Sequence, residues 1–206
     1  ERPNSCRKGD QIMRCIAVLG PSQSGKTELV KALAALEDTH PQSETAGHLT
    51  LTRFRFMGEE WGALDVAGGP EFARMGGAAL LAADAAVLCV SPDPAEAVLA
   101  APWLRAIEAA AVPCFIFINR MDVPKGRIRD IVSALQAYSS HPVVLRQIPI
   151  REGGQIVGAI DLISERAWRY REGRTSQLVE IPKDEAPREH EARAELLEQM
   201  SDYDDR

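Results

Sequence analysis

The feature that most constrains this chain is the octapeptide Gly20-Pro21-Ser22-Gln23-Ser24-Gly25-Lys26-Thr27. It lies between a short run of branched apolar residues, Arg14 to Leu19, and a stretch with Leu29, Leu33 and Leu36 at helical spacing. The pattern G-x-x-x-x-G-K-[ST] between a strand and a helix wraps a loop around a phosphate chain. Successive backbone N–H groups point inward, and the helix N-terminus adds the positive end of its dipole. Glycine at 20 and 25 permits geometry or close approach that a side chain would block. Lys26 then reaches the β- and γ-phosphates, and the Thr27 hydroxyl is a ligand for Mg²⁺. A chance glycine-rich turn before a helix would not require both flanks.

Two further signals follow in order. Asp65-Val66-Ala67-Gly68 closes an apolar strand. An aspartate there holds Mg²⁺, often through water, and Gly68 can present its N–H to the terminal phosphate. Taken alone, the tetrapeptide is also an ordinary strand-to-loop turn. Asn119-Arg120-Met121-Asp122 directly follows the apolar run Cys114 to Ile118. The Asp122 carboxylate can accept from N1–H and the exocyclic amine of guanine, whereas adenine would leave it without those donors. The aliphatic stem of Arg120 can cover the base. The bland alternative is a polar helix cap after a strand.

The rest of the chain alternates strand-like and helix-like stretches. Leu49 to Phe56 and Trp61 to Val66 read as a hairpin, turned at Gly58-Glu59-Glu60. Ala85 to Val90 and Cys114 to Ile118 are wholly apolar and predict central parallel strands covered on both faces. Ala95 to Ala111 predicts a helix broken or kinked at Pro102, and Ile128, Ile131, Val132 and Leu135 mark another. After His141-Pro142 the character changes. Val143 to Ile150 and Gln155 to Ile163 predict strands about a Gly153-Gly154 turn, with a third strand at Gln177 to Ile181. From Pro182 the chain is dense in charge, and Leu196, Leu197, Met200 and Tyr203 form one apolar stripe, with Glu189 and Arg193 paired at i,i+4. The first ten residues are polar and expected to fray.

Composition narrows the partners. Hydrophobic residues make up 45% and charged residues 26%, which fits a globular chain of 206 residues. The net charge is −6, so no overall field holds this chain to nucleic acid, DNA binding is not expected and any RNA contact must be local. Cys15, Cys89 and Cys114 lie in apolar runs and read as buried, reduced thiols of a cytoplasmic protein. No run is long enough to span a bilayer.

The three motifs in this order resemble those of translational GTPases. Leu145-Arg146-Gln147-Ile148-Pro149-Ile150, then Ile156-Val157-Gly158-Ala159-Ile160-Asp161-Leu162-Ile163 with Ala167 and Trp168, are similar to the G-prime subdomain inserted in elongation factor G. Ile181-Pro182-Lys183-Asp184 and the charged helix after it share that likeness. The resemblance is to a divergent, bacterial elongation factor G-like paralogue. It implies an α/β P-loop fold, with a mostly parallel sheet, helices on both faces and an inserted β-rich subdomain. The core is expected over 11–141 and the insertion over 142–206. The implied ligands are GTP or GDP with Mg²⁺, and the implied partner is the ribosome. Two departures bear on catalysis. The water-positioning histidine of the family is replaced by Gly69, so no catalytic residue is assigned. The first switch loop, with its Mg²⁺-binding threonine, has no counterpart in the short stretch Asp38 to Gly47, where Thr45 is a poor stand-in. The alternative function is a pseudo-GTPase serving as a structural or interaction module. Of the four histidines, His48 lies nearest the switch region.

Overall fold

The computed structural model describes residues 7–8, 11–37, 40–73, 76–172 and 174–204. Its contacts divide the chain into two units, Glu1–Ser140 and His141–Arg206. The fraying expected of the first ten residues lies outside the described residues, apart from a short pairing of Arg7–Lys8 with Gln11–Ile12.

The first unit is built on a six-stranded mixed sheet. In chain order its elements are β1 (Arg14–Leu19), α1 (Lys26–Ala34), β2 (Gln42–Ala46), β3 (Leu49–Phe56) and β4 (Glu59–Val66). A 3-10 turn, Pro70–Ala73, precedes α2 (Gly76–Ala82) and β5 (Ala85–Val90). Then come α3 (Ala101–Ala110), β6 (Cys114–Ile118) and α4 (Ile128–Gln136). The strand order is β2-β3-β4-β1-β5-β6. β1 pairs in parallel with β4 and β5, and β5 with β6, while β2, β3 and β4 form an antiparallel meander.

Side chains alternate across β1, so one strand serves two cores. Ala17 and Leu19 pack with Leu80, Trp103, Leu104, Ile107 and Ile131, which brings α2, α3 and α4 to that face. Val18 packs with Val30 and Ala34 of α1, and with Phe54 and Ala63. Helices therefore cover both faces, as a buried parallel sheet requires.

Four sequence expectations change here. β6 is not a central covered strand: it is the sheet edge, with Phe115 55% and Phe117 40% exposed. Cys114 at its start is exposed for the same reason, whereas Cys15 and Cys89 are buried as expected. The stretch between α1 and β3, for which the sequence names no element, contains β2, whose side chains are all exposed and give no apolar alternation to read. The expected helix from Ala95 is a 3-10 turn, Pro94–Ala100, followed by α3, and the break falls at Ala101-Pro102, where proline sits in the first helical turn.

The second unit is a four-stranded antiparallel sheet with one long helix. Its elements are β7 (Gln147–Glu152), β8 (Gln155–Asp161), β9 (Arg166–Arg171), β10 (Arg174–Val179) and α5 (Ala186–Asp204), in the order β10-β9-β8-β7. Ile148, Ile150, Ile160, Leu162 and Ala167 pack with Ala192 and Leu196 of α5. The apolar stripe is thus narrower than expected, since Leu197 is 51% and Met200 46% exposed and the side chain of Tyr203 is outside the described residues. Glu189 and Arg193 do not pair: Arg193 reaches Glu165 at 2.8 Å, and Glu189 is buried with Oε1 unpartnered. The strand expected from Val143 begins only at Gln147, and the one expected at Gln177 to Ile181 is β10. β9 has no counterpart among the expected strands, because arginines at 166, 169 and 171 interrupt its apolar pattern.

Candidate nucleotide site

The ends of β1, β4, β5 and β6 lie on one edge of the first sheet, and each carries a piece of the site. β1 has β4 on one side and β5 on the other, so the chain leaves its neighbours in opposite directions. Open α/β sheets leave a crevice at such a switch point. The loop Gly20–Gly25 leaves β1 and turns into α1. Gly20 has φ 140°, and a Cβ on it would overlap the Cys89 carbonyl oxygen. Gly25 has φ 88°, and its Cβ would overlap Asn119 Nδ2. Both positions therefore exclude a side chain. Gly25 is also the N-cap of α1, and no side chain caps that helix. Its first N–H groups face whatever anion the loop encloses.

Lys26 is 7% exposed and donates from Nζ to the carbonyl oxygens of Gly20, at 3.0 Å, and Pro21, at 2.8 Å. Burial pushes its ammonium below the ordinary lysine range, and the nearby charge of Asp65 opposes that shift. The Thr27 hydroxyl donates to Asp65 Oδ2 at 2.6 Å. A hydroxyl and a carboxylate oxygen so placed fit Mg²⁺, which takes few protein ligands and completes its shell with phosphate and water. Gly68 lies against the loop: a Cβ there would fall 2.5 Å from Ser22 N and 2.7 Å from Lys26 Nζ. Thr45, by contrast, is turned to Thr50 in the neighbouring strand, with hydroxyl oxygens 3.1 Å apart.

Asn119 ties the fourth strand end to the loop. Its backbone N–H donates to Val90 O at 2.9 Å, its Nδ2 to Ser24 O at 2.9 Å, and its Oδ1 accepts from Arg120 N at 2.8 Å. Arg120 has φ 54°, a left-handed turn that leads the chain to Asp122, whose side chain is exposed. The structure thus brings together Gly20 to Thr27, Asp65, Gly68 and Asn119, with Arg120 and Asp122 on the loop that Asn119 anchors. Sequence reasoning missed Cys89. Its thiol, kept protonated by burial, donates to Ser24 O at 3.0 Å. Its position one residue before the end of β5 is the only signal the sequence offers.

Position 69 has no side chain, and the carboxylate of Glu71 folds back over the space where a Cβ would stand. His48 stacks on Phe72, ring centroids 5.3 Å apart, and its carbonyl oxygen accepts from Ala67 N at 2.9 Å. A cavity of about 300 Å³ is lined by the loop residues Pro21, Ser22, Gln23 and Ser24 with Asp93 and Arg120 among others. Lys26, Thr27 and Asp122 do not line it, so it is not the phosphate cradle. Among the described residues no helix is long and apolar enough to cross a membrane.

No protein-family model matches the chain. It is 30% identical over 216 residues to an elongation factor G-like protein of Synechocystis sp., covering 96% of this chain and 32% of that protein. It is 32% identical over 113 residues to the mitochondrial ribosome-releasing factor 2 of Danio rerio, covering 50% of this chain and 15% of that protein. With the mitochondrial elongation factor G of Drosophila ananassae the identity is 32% over 103 residues, or 49% and 14% of the two chains. A crystal structure of a protein from Thermus thermophilus superposes with a TM-score of 0.72 at 26% identity, over 90% of this chain and 31% of that one. The chain therefore spans about a third of the relatives that match nearly all of it. Its fold is that of the matched structure, and along nearly its whole length, nucleotide loop and β-rich unit alike, it is similar to a segment of an elongation factor G-like protein.

Proposed function

We propose that the first unit binds GTP and GDP with Mg²⁺ as the G domain of an elongation factor G-like translation factor, with hydrolysis that is slow or depends on the ribosome. The observation that carries this reading is the convergence of Lys26, Thr27–Asp65 and Asn119–Ser24 on one loop. That arrangement offers a cation for phosphate, two oxygens for Mg²⁺ and a base-side loop held in register with the phosphate side. The nucleotide and Mg²⁺ supply the reactive phosphoryl group and its charge neutralisation. The protein's part is to hold them: Gly20 to Thr27 enclose the phosphates, Asp65 and Thr27 hold the ion, Gly68 donates to the terminal phosphate, and Asn119, Arg120 and Asp122 take the base. The second unit is the G-prime-like insertion, and the ribosome is the partner.

Calorimetry with GDP, GTP and ATP tests the reading. GDP and GTP are expected to bind and ATP is not. ATP binding as tight as GTP would exclude guanine recognition by Asp122.

A second reading, a pseudo-GTPase that binds nucleotide weakly or not at all and serves as a structural or interaction module, is favoured by one observation. Glycine occupies position 69, and the acidic side chain folded over it adds negative charge where no imidazole stands. Single-turnover hydrolysis of GTP separates the two readings once binding is measured.

A further inference from the structure

Beyond the nucleotide site, the second unit has one face that its own core does not use. Directly opposed residues of antiparallel strands share a face, and successive residues alternate. Ala167 of β9 is opposed to Ile160 and Val179, and this row belongs to the core under α5. Trp168 is opposed to Ala159 and Leu178, so this row faces away from the helix. Leu178 is 54% exposed, Trp168 is half-buried, and Tyr170, at the register shift between Arg169 and Arg171, is 53% exposed.

The charge on this hairpin is mainly positive. Arg166 is exposed on the Trp168 face. Arg171 and Arg174 are opposed to each other beyond the register shift, exposed at the end of the hairpin, with Arg171 Nε donating to Thr175 O at 3.0 Å. None of the three makes an ion pair among the described residues. Arg169 is neutralised by Glu152, with both bonds 2.7 Å. Only Glu172 opposes them in 166–174. α5 carries Glu189, Glu191, Glu195 and Glu198, and Glu165 and Glu180 flank the hairpin. The chain is acidic as a whole, yet it presents a local basic and aromatic patch.

We propose that the β9–β10 face is a binding surface for single-stranded RNA. Rings and guanidinium planes on an open antiparallel sheet suit unstacked bases, which stack on any aromatic face, while the arginines meet the phosphates. A lipid surface would want an amphipathic helix with basic residues, and α5 is acidic on its exposed side. The choice of RNA over DNA rests on the translation-factor reading, but the surface does not depend on nucleotide binding.

The test is fluorescence anisotropy with the 206-residue chain and a labelled single-stranded RNA of about 12 nucleotides, within the size range of such sites. Its arms are DNA of the same sequence and vesicles of phosphatidylcholine and phosphatidylserine. RNA is expected to bind, and Tyr170→Ala to weaken it about tenfold, with Tyr170→Phe retaining most of the affinity. The pair Arg166→Gln and Arg174→Gln is expected to lower the slope of log affinity against log salt by about 1.4, at ~0.7 for each phosphate contact. Circular dichroism checks that each variant is folded. Three results overturn the proposal: no RNA binding at micromolar protein, a folded Tyr170→Ala chain that binds as the wild type does, or tighter binding to DNA or vesicles than to RNA. GDP affinity measured on the same protein is a separate readout, so this surface and the nucleotide site fail independently.

Discussion

Asp122 is exposed on the loop that Asn119 pins to Ser24, so its carboxylate is available to a ligand rather than engaged in the fold. Asp122→Asn is expected to exchange guanine for xanthine preference, because an amide can donate to the xanthine 2-carbonyl. Competition calorimetry with GDP and XDP checks it, and unchanged GDP preference would sink the assignment. Lys26 differs in kind, being a buried cation that donates to two backbone carbonyls with the Asp65 charge nearby. Lys26→Ala should weaken GDP binding by roughly 2–4 kcal/mol, as when one partner of a buried charged pair is removed. Equal GDP affinity would mean that the loop no longer holds phosphate. At position 69, a new side chain meets only the flexible end of Glu71, which can swing aside. Gly69→His is therefore expected to fold and to speed single-turnover hydrolysis by on the order of 10²–10⁴, the usual range for a positioned proton-transfer group. A rate equal to wild type would place the catalytic deficit elsewhere. At this scale the sequence is informative where spacing encodes chemistry, as in Gly20 to Thr27 and Asn119 to Asp122. It is silent about Cys89 and Glu71, which reach the site through tertiary approach and carry no spacing signal.

Elements are legible in proportion to how far burial dictates their pattern. β1, β5, the β3–β4 hairpin and α1 are packed on defined faces, and their periodicities read directly. β2 and β9 escape such a reading because each exposes most of its side chains, so backbone pairing holds them and no apolar alternation announces it. α5 is readable as an element, but its packed stripe is not. Ala192, Leu196 and the buried acid Glu189 share the packed side, while Leu197 and Met200 look outward. The end of β8 shows how a polar group can fix an element. Burial alone would raise the Asp161 carboxyl, but hydrogen bonds from the Ser164 and Ile163 backbone and the Arg146 charge outweigh it and hold the group below the usual carboxylate range. A depressed folded value stabilises the fold above the ordinary aspartate pKa of about 3.9, and that contribution disappears as the pH falls through the folded value. Asp161→Asn is expected to cost about 1–3 kcal/mol at neutral pH and to flatten the acid limb of the stability curve. Urea denaturation at neutral and acid pH measures both. A variant whose stability falls in acid as steeply as the wild type would show that Asp161 is not the titrating group.

At the scale of the whole molecule, the two units have separate hydrophobic clusters, and every residue proposed to touch nucleotide belongs to the first. The change of character after His141-Pro142 is visible in the sequence because a doubly covered sheet needs wholly apolar strands, whereas a sheet with one helix does not. Separate cores have a thermodynamic consequence. A ligand stabilises only the cooperative unit whose folded form it binds, by RT ln(1 + [L]/Kd). At a GDP concentration of about 100 times Kd this is about 2.7 kcal/mol, or near hundredfold slower exchange for amides that open only when that unit unfolds. Hydrogen exchange with GDP and Mg²⁺ should therefore slow in β1, β4, β5 and α3, whose residues Ala17, Leu19, Val66, Leu88 and Trp103 are almost wholly buried. Amides of β7 to β10 and α5 should exchange at the same rate with and without nucleotide. Equal slowing in both units would mean that they unfold as one body. No slowing in either would mean that the loop does not hold GDP, and the nucleotide reading would then fall with it.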